Sequence, residues 1–169
     1  MPKPIVQTEN KVLRVIAKPV DAKLFGTPEL KKIITDMSDS LATCDDGIAL
    51  AAPQVGISYR IFIVSGKLWA DEENKKIKSD VVFINPKITK RSKKMSTLDE
   101  GCLSVRWLYG KTKRSDKVSI EAYDIDGKKM TWHGSGLLAQ IFQHETDHLE
   151  GILFIDHATD LEEIEPEKN

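Results

Sequence analysis

Two histidines and a glutamate near the C-terminal end of the chain have the spacing of a metal-binding motif. His144, Glu145 and His148 form the pattern His-Glu-x-x-His. In a helix, residues four apart lie one above the other on the same face. Two imidazoles placed in this way can bind one divalent metal ion, and the glutamate between them can act as a general base for metal-bound water.

The residues around the motif favour a helix that begins after Ser135, as its N-cap, and ends at Gly151. The apolar residues that recur at helical spacing are Leu137, Leu138, Ile141 and Leu149. The same letters also occur by chance, and a histidine on an apolar helix face can be an ordinary core residue. The motif therefore becomes a site only if the chain supplies a third ligand, an oxyanion donor and a pocket.

The remaining patterns predict one further helix and several antiparallel strands. Thr27 followed by Pro28 is typical of a helix start, and apolar spacing extends this helix over residues 27–44. Strands are predicted at residues 59–64, 81–84, 117–123 and 128–133, the last two joined as a hairpin. The fold class is therefore α+β, with antiparallel strands packed around a helix in the C-terminal half that carries the motif.

Composition predicts a single catalytic domain over residues 1–169 and gives no nucleic-acid signal. Lys and Arg number 25 and Asp and Glu 26, so the formal net charge is −1. No run approaches the roughly 20 apolar residues that span a bilayer, and the first residues lack a secretory signal. A bacterial-type cytoplasmic location fits these features, and a mature organellar protein would share them. Residues 70–80 and 90–94 are predicted to be solvated loops, and acidic residues 160–169 a frayed tail.

Cys102 is the candidate third ligand. It lies in a glycine-containing turn at residues 99–104, whereas Cys44 continues the apolar stripe of the first helix. Together with His144 and His148 it would form a three-ligand site whose fourth position is left for water. The sequence by itself leaves open whether the thiol reaches the helix.

Gln54 is the only polar side chain between Gly47 and Gly56, in a segment of small apolar residues. Such a segment suits a strand or loop whose backbone comes close to another group. Pro53 removes a backbone donor and argues against a central strand. From the residues alone, Gln54 is read first as a buried amide whose hydrogen bonds are satisfied within the core.

Taken together, three segments resemble the peptide deformylase family. They are Gly-Ile-Ala-Leu-Ala-Ala-Pro-Gln at residues 47–54, Glu-Gly-Cys-Leu-Ser at 100–104 and His-Glu-Thr-Asp-His at 144–148. Their order and the intervening strands match the family over nearly the whole chain. The resemblance implies an enzyme that removes the formyl group from N-formylmethionine at the start of new polypeptides and releases formate. N-formylmethionyl peptides are then the partners; a ribosome partner is compatible with this, although no sequence feature shows it.

The resemblance also implies that Cys102, His144 and His148 bind one divalent metal ion. In the family this ion is usually Fe²⁺, with Zn²⁺, Ni²⁺ or Co²⁺ as other occupants, and the ligand set alone would bind Zn²⁺. Metal-bound hydroxide is expected to attack the formyl carbon, with Glu145 taking the water proton and returning it to the departing amine.

The oxyanion donors implied by the resemblance are the Gln54 side-chain amide and the Leu103 backbone N–H. Glu100 and Asp147 are predicted to orient ligands or an arginine such as Arg114. An apolar slot for the methionine side chain is predicted from the remaining substrate-binding residues. These are Ile48, Leu98, Leu137 and Ile141, whose alternative role is core packing, together with Ala49.

Two departures from the family pattern concern the substrate cleft. Ala49 replaces the usual second glycine, and Arg106 stands where many members have proline. Two other functions remain open on the residues: a zinc peptidase whose third ligand would be His157, and a metal-binding or redox-responsive homologue without catalysis. Intact Glu145 and Gln54 argue against the latter, since binding a metal would need neither.

Overall fold

The computed structural model describes residues 1–69 and 79–168, and in this part of the chain the fold is α+β, as predicted. A five-stranded antiparallel sheet has the order β1 (Ala49–Ala51), β2 (Ile61–Val64), β3 (Val81–Arg91), β6 (Lys117–Tyr123) and β7 (Lys129–Ser135). A three-stranded sheet contains β4 (Met95–Gly101), β5 (Leu108–Ser115) and β8 (Thr159–Glu163) in that order. The two α-helices are α1 (Pro28–Ala42) and α2 (Leu137–Leu149). The described residues also include five short 3₁₀ helices.

The first helix begins as the sequence predicts. The Thr27 hydroxyl accepts a hydrogen bond from the Leu30 N–H at 3.3 Å, and Pro28 occupies the first helical position. The helix ends at Ala42, so Cys44 lies just beyond it, partly buried, with its N–H donating to the Leu41 carbonyl. The prediction of residues 27–44 is therefore confirmed to within two residues.

The start of α2 differs from the prediction. Ser135 is not the N-cap but the last residue of β7, where it pairs with Lys117. The strand passes directly into the helix through Gly136. This residue has a positive φ of 58°, which glycine adopts easily because it has no side chain. The predicted end is confirmed, because Gly151 adopts a φ of 73° two residues after the helix. A Cβ at Gly151 would lie 2.7 Å from the Arg14 carbonyl, so the N-terminal segment closely covers this end of α2.

The alternating strand residues place the two helices on opposite faces of the five-stranded sheet. Phe62 and Phe83 stack at 4.7 Å between ring centroids and meet Phe142 of α2 on the inner face. Ile61 and Ile63, on the outer face, pack with α1. The rigidity of α2, and with it the spacing of His144 and His148, comes from this apolar packing, since burying each such side chain contributes roughly 1.5–3 kcal/mol.

Two segments that the sequence predicts to be a loop and a frayed tail are strands in part. β3 continues to Arg91, so only residues 92–94 of the predicted basic loop form the turn. The predicted frayed tail contains β8, which pairs with β5. Every residue of β8 is exposed, so its stability comes from backbone pairing with an open sheet edge, which a hydrophobic pattern does not reveal. Gly110 of β5 allows β8 to pack closely against it, since a Cβ at this position would lie 2.8 Å from the Leu161 side chain.

The other predicted loop, at residues 70–80, lies outside the described residues except for its last two positions. Within the described residues, no helix combines the length and apolar character that crossing a membrane requires.

Candidate metal centre and active site

Three potential ligands from two distant segments meet beneath the end of β4. Cys102 follows β4 directly, and His144 and His148 lie one turn apart on α2. Their ligand atoms all lie within 4.8 Å of one another, and the Cys102 Sγ is 3.3 Å from the His148 Nε2. The structure therefore brings together the three residues that the sequence analysis proposed as ligands, although Cys102 is 42 residues before the first histidine.

The chemistry of this group fits a transition-metal ion. One thiol and two imidazoles provide the soft and intermediate donors that Zn²⁺ and Fe²⁺ accept. Beside them, Glu145 Oε2 and His148 Nδ1 are buried and have no hydrogen-bond partner among the described residues. Unsatisfied buried polar atoms are costly, so the Glu145 oxygen points to a site that water or a substrate enters. His148 Nδ1 does not add to this evidence, because the nitrogen of His148 that faces Cys102 is Nε2. The alternative ligand His157 is not part of the group; its Nε2 lies 3.7 Å from Asp147 Oδ2.

A buried ionic network fixes the orientation of His144. Its Nδ1 lies 3.0 Å from Glu100 Oε2, and Arg114 donates from Nε and Nη2 to the two Glu100 oxygens at 3.0 and 2.6 Å. Arg114 Nη1 also reaches Asp147 at 2.7 Å. The side chains of Arg114 and Glu100 are only 6% and 4% exposed. The prediction that Glu100 and Asp147 orient a ligand and an arginine is confirmed, and the geometry directs the other nitrogen of His144 toward the ligand group.

Glu100 and Glu145 have pKa values shifted in opposite directions, because their surroundings differ. Burial would raise the pKa of Glu100, but the hydrogen bonds from His144 and Arg114 hold it far below its ordinary value. Glu145 has no such partners, and burial raises its pKa to about 7. A carboxyl group that titrates near neutral pH can both take up and release a proton, so Glu145 has the property of a general acid–base residue.

Gln54 lies in the 3₁₀ turn that follows β1, and hydrogen bonds hold both ends of its side-chain amide. Its Oε1 accepts from the Ala51 N–H at 2.9 Å, while Nε2 donates to Ser104 Oγ at 3.1 Å and lies 3.6 Å from Cys102 Sγ. This pattern orients the amide nitrogen toward the metal ligands. Both interpretations of Gln54 thus hold in part, because its oxygen satisfies a backbone donor and its nitrogen faces the site.

Two of the three ligands, Cys102 and His144, line a cavity of about 400 Å³. Gln54, Leu103 and Glu145 also line it, and so do four of the predicted substrate-binding residues: Ile48, Ala49, Leu137 and Ile141. Leu98 differs from the prediction that it lines the methionine slot, because it is not among the described residues that form the cavity wall. It lies two residues before Glu100 on β4, roughly 6–7 Å farther along the strand, and the wall begins at Asp99.

The rim of the cavity contains an ion pair that the sequence analysis missed. Arg106 donates from both terminal nitrogens to the Asp46 carboxylate at 2.7 and 3.0 Å. Its guanidinium also stacks at 4.4 Å on the Trp107 ring. The pair joins the turn before β1 to the loop after Cys102, so it bridges the two walls of the cleft. Arg106 stood out as a departure from the family pattern, but nothing in the sequence indicated a partner 60 residues away.

Comparisons with known proteins agree with this geometry. Residues 2–163 match a family model described as polypeptide deformylase. Peptide deformylase 2 of Clostridium acetobutylicum is 39% identical over 154 residues, which cover 90% of this chain and 93% of that protein. A crystal structure of peptide deformylase from Thermotoga maritima has a TM-score of 0.82 and 33% identity, covering 94% of this chain and 99% of that one. An actinonin-bound class I type b peptide deformylase from Acinetobacter baumannii gives 0.83 and 33%, over 94% and 99% of the two chains.

Arg114→Met should destabilise the metal-free protein by about 3–5 kcal/mol, because it leaves the Glu100 charge buried without its main partner. Lys111→Met is the matched control: Lys111 lies on the same strand and pairs with Asp99 at 2.9 Å on the surface, where solvent screens the pair, so its unfolding midpoint should stay close to that of the wild type. Urea unfolding in the presence of a chelator measures both. Equal unfolding midpoints for the two variants would contradict the role given to this network.

Proposed function

Because this chain belongs to the polypeptide deformylase family, we propose that it removes the formyl group from the N-terminal formylmethionine of newly made polypeptides and releases formate. The observation that carries the proposal is the meeting of Cys102, His144 and His148 beside a cavity that Glu145 also lines, with one Glu145 oxygen buried and without a hydrogen-bond partner among the described residues. The direct test is formate release from a formyl-Met peptide by anaerobically purified protein. Internal cleavage of the peptide would indicate a peptidase instead, and neither product would indicate a binding protein.

The three ligands are proposed to hold one divalent cation, which we take to be Fe²⁺ on the family resemblance. The thiol and imidazole donors would also accept Zn²⁺, Ni²⁺ or Co²⁺. When bound, the cation would act as a Lewis acid that lowers the pKa of water in the cavity toward neutrality. Element analysis of protein purified without added metal identifies the occupant.

Glu145 is the residue proposed to move the proton. Its carboxylate takes a proton from the attacking water, whose oxygen bonds to the formyl carbon. As the carbon–nitrogen bond breaks, Glu145 returns the proton to the departing amine, which leaves formate and a free N-terminus. In the metal-free protein burial raises the pKa of Glu145 to about 7, and this shift toward neutrality favours a group that both takes up and releases a proton.

Gln54 and Leu103 are proposed to stabilise the oxyanion that forms on the formyl oxygen. Gln54 Nε2 has two hydrogens, and its bond to Ser104 uses one in good geometry, while the contact with the Cys102 sulfur is weak and longer. The Leu103 N–H follows Cys102 directly and belongs to the same cavity wall. Donors fixed before the reaction need no reorganisation, which is why they are effective in catalysis.

The substrate is proposed to enter between the β1 edge and α2. Ile48, Leu137 and Ile141 would contact the methionine side chain, and Ala49 narrows the cleft relative to glycine. The Ile48 carbonyl already accepts from the Ser65 N–H at 2.8 Å, so a strand-like contact with the peptide would fall to its N–H. We further propose a cytoplasmic location of bacterial type, with the ribosome as the source of the substrate.

Glu145→Gln should lower kcat by about 10²–10⁴ while the protein still binds its cation, because the amide cannot carry the proton. Glu150→Gln is the control, since this glutamate lies just past the same helix, half exposed, and pairs with Arg60. Formate release and element analysis measure the two effects. Wild-type turnover by Glu145→Gln would refute the assignment.

Gln54→Leu and Gln54→Glu together separate the two functions of this amide. Both remove the donor and should lower kcat by about 10²–10³. The leucine variant also leaves the Ala51 N–H without its acceptor, so it should lose about 1–3 kcal/mol of stability in urea unfolding at any pH. The glutamate variant keeps that acceptor, and its stability should recover at lower pH, where the buried carboxyl group is protonated. If the loss of kcat tracked the loss of stability, Gln54 would be a structural residue alone.

Leu137→Tyr should reduce kcat/KM for formyl-Met peptides about tenfold more than for formyl-Ala peptides, because the larger ring fills the slot that only the longer side chain needs. Leu161→Tyr controls for an added aromatic group, since Leu161 is similarly exposed and lies on β8. Equal losses for both substrates would place the slot elsewhere.

A further inference from the structure

Among the described residues, no helix covers one half of the outer face of the five-stranded sheet. α1 packs over β1, β2 and the first part of β3. Beyond it, β6 alternates between the buried residues Val118, Ile120 and Ala122, which join the core around α2, and outward residues that are exposed or partly exposed. The outward side chains of β6, β7 and the last part of β3 therefore form a surface that faces away from the catalytic cavity.

Cross-strand pairing arranges this surface into two polar rows. Lys90, Ser119 and His133 are direct neighbours across β3, β6 and β7. Lys117 and Ser135 pair in the next row. Together with Ser92 these residues line a second concavity of about 400 Å³, and no carboxylate belongs to its wall among the described residues. We call this surface the basic face.

Hydrogen bonds hold the basic face in place. The Ser92 N–H donates to the Lys117 carbonyl at 2.8 Å, and the Lys117 N–H donates back to Ser92 Oγ at 3.0 Å. Ser119 Oγ and His133 Nδ1 share a bond of 2.8 Å. The β3–β4 turn and the β5–β6 turn are therefore joined, and the two lysine stems project from a rigid base.

The sequence around the basic face is unusually free of acid. Residues 81–98 contain four lysines and one arginine but no aspartate or glutamate, although the net charge of the whole chain is −1. Asp116, beside this surface, is bonded to Ser96 at 2.5 Å and lies 3.6 Å from Lys94. Glu121, on the outward side of β6 itself, is paired with Lys129 at 3.4 Å. Arg91 faces the other side of the sheet, where it donates to Gln143 of α2, and Lys94 pairs with Asp116. The positive charge at the concavity is therefore that of Lys90 and Lys117.

We propose that the basic face binds the phosphate backbone of folded RNA. Lysine ammonium groups and serine hydroxyls are the side chains that contact phosphate oxygens, and they carry no base specificity. Among the described residues, no aromatic side chain belongs to the wall of the concavity, so the wall offers neither base stacking nor insertion into a membrane. Because α2 and the catalytic cavity lie on the other side of the sheet, RNA bound here would leave the cavity open to peptides.

The test is the affinity of the full chain for a fluorescently labelled RNA hairpin, followed by anisotropy at 50 and 200 mM KCl. The wild type should bind with a Kd of order 10⁻⁶–10⁻⁴ M that weakens steeply with salt. The double variant Lys90→Gln, Lys117→Gln should bind at least about tenfold more weakly at 50 mM. Its salt slope should fall by roughly 1.5, because each lost phosphate contact accounts for about 0.7–0.9.

The matched control removes two exposed lysines elsewhere, Lys23→Gln and Lys31→Gln, one beside α1 and the other on it. It changes the net charge equally and should keep wild-type affinity. Both double variants should release formate from a formyl-Met peptide at the wild-type rate, which reports an intact fold. The proposal is overturned if the control loses as much affinity as the test variant. Binding to anionic lipid vesicles but not to the hairpin would overturn it as well.

Discussion

The structure of the site depends on the burial of one carboxylate, Glu100, between a guanidinium and an imidazole. A charge with 4% of its side chain exposed persists only if its partners replace the hydration that it has lost. Arg114 supplies two bonds to it and a third to Asp147 of α2. The β4–β5 hairpin is therefore fastened to the helix by charge. Cys102, which follows β4 directly, takes its position from this connection.

Apolar packing and ionic bonding position different parts of the centre. The stacked phenylalanines Phe62, Phe83 and Phe142 hold α2 against the five-stranded sheet and set the height of the two histidines. That packing is non-directional, so it cannot choose the rotation of an imidazole ring. The bond from His144 Nδ1 to Glu100 does so, because a hydrogen bond fixes direction as well as distance. Deep burial of the network also keeps Arg114 from being screened by salt.

The sequence predicted the parts of this protein that local spacing determines. The Thr27 cap of α1, the stop at Gly151, the i,i+4 histidines and the β6–β7 hairpin follow from short-range rules and agree with the structure, whereas the predicted Ser135 cap of α2 does not. Cys102 could be assigned only through the order of three motifs, since no local rule brings a turn to a distant helix. The Arg106–Asp46 pair, the exposed strand β8 and the exclusion of Leu98 from the cavity arise from tertiary contacts. The basic face shows the same limit, because an average charge near zero does not report how a fold distributes its charges.

The metal centre contains buried polar atoms that lower the stability of the fold, and the packing around them must offset this loss. Glu145 Oε2 and His148 Nδ1 are buried without partners among the described residues, and each such atom costs about 1–3 kcal/mol. A fold selected for stability alone would place apolar atoms here. The packing around α2 instead holds polar groups at a cavity, where burial raises the pKa of Glu145 to about 7 and the Gln54 amide is aimed in advance. Because water, a cation or a substrate can reach the Glu145 oxygen only by entering the cavity, the desolvation of this oxygen favours occupancy of the site, and the stability of the protein and its loading are linked.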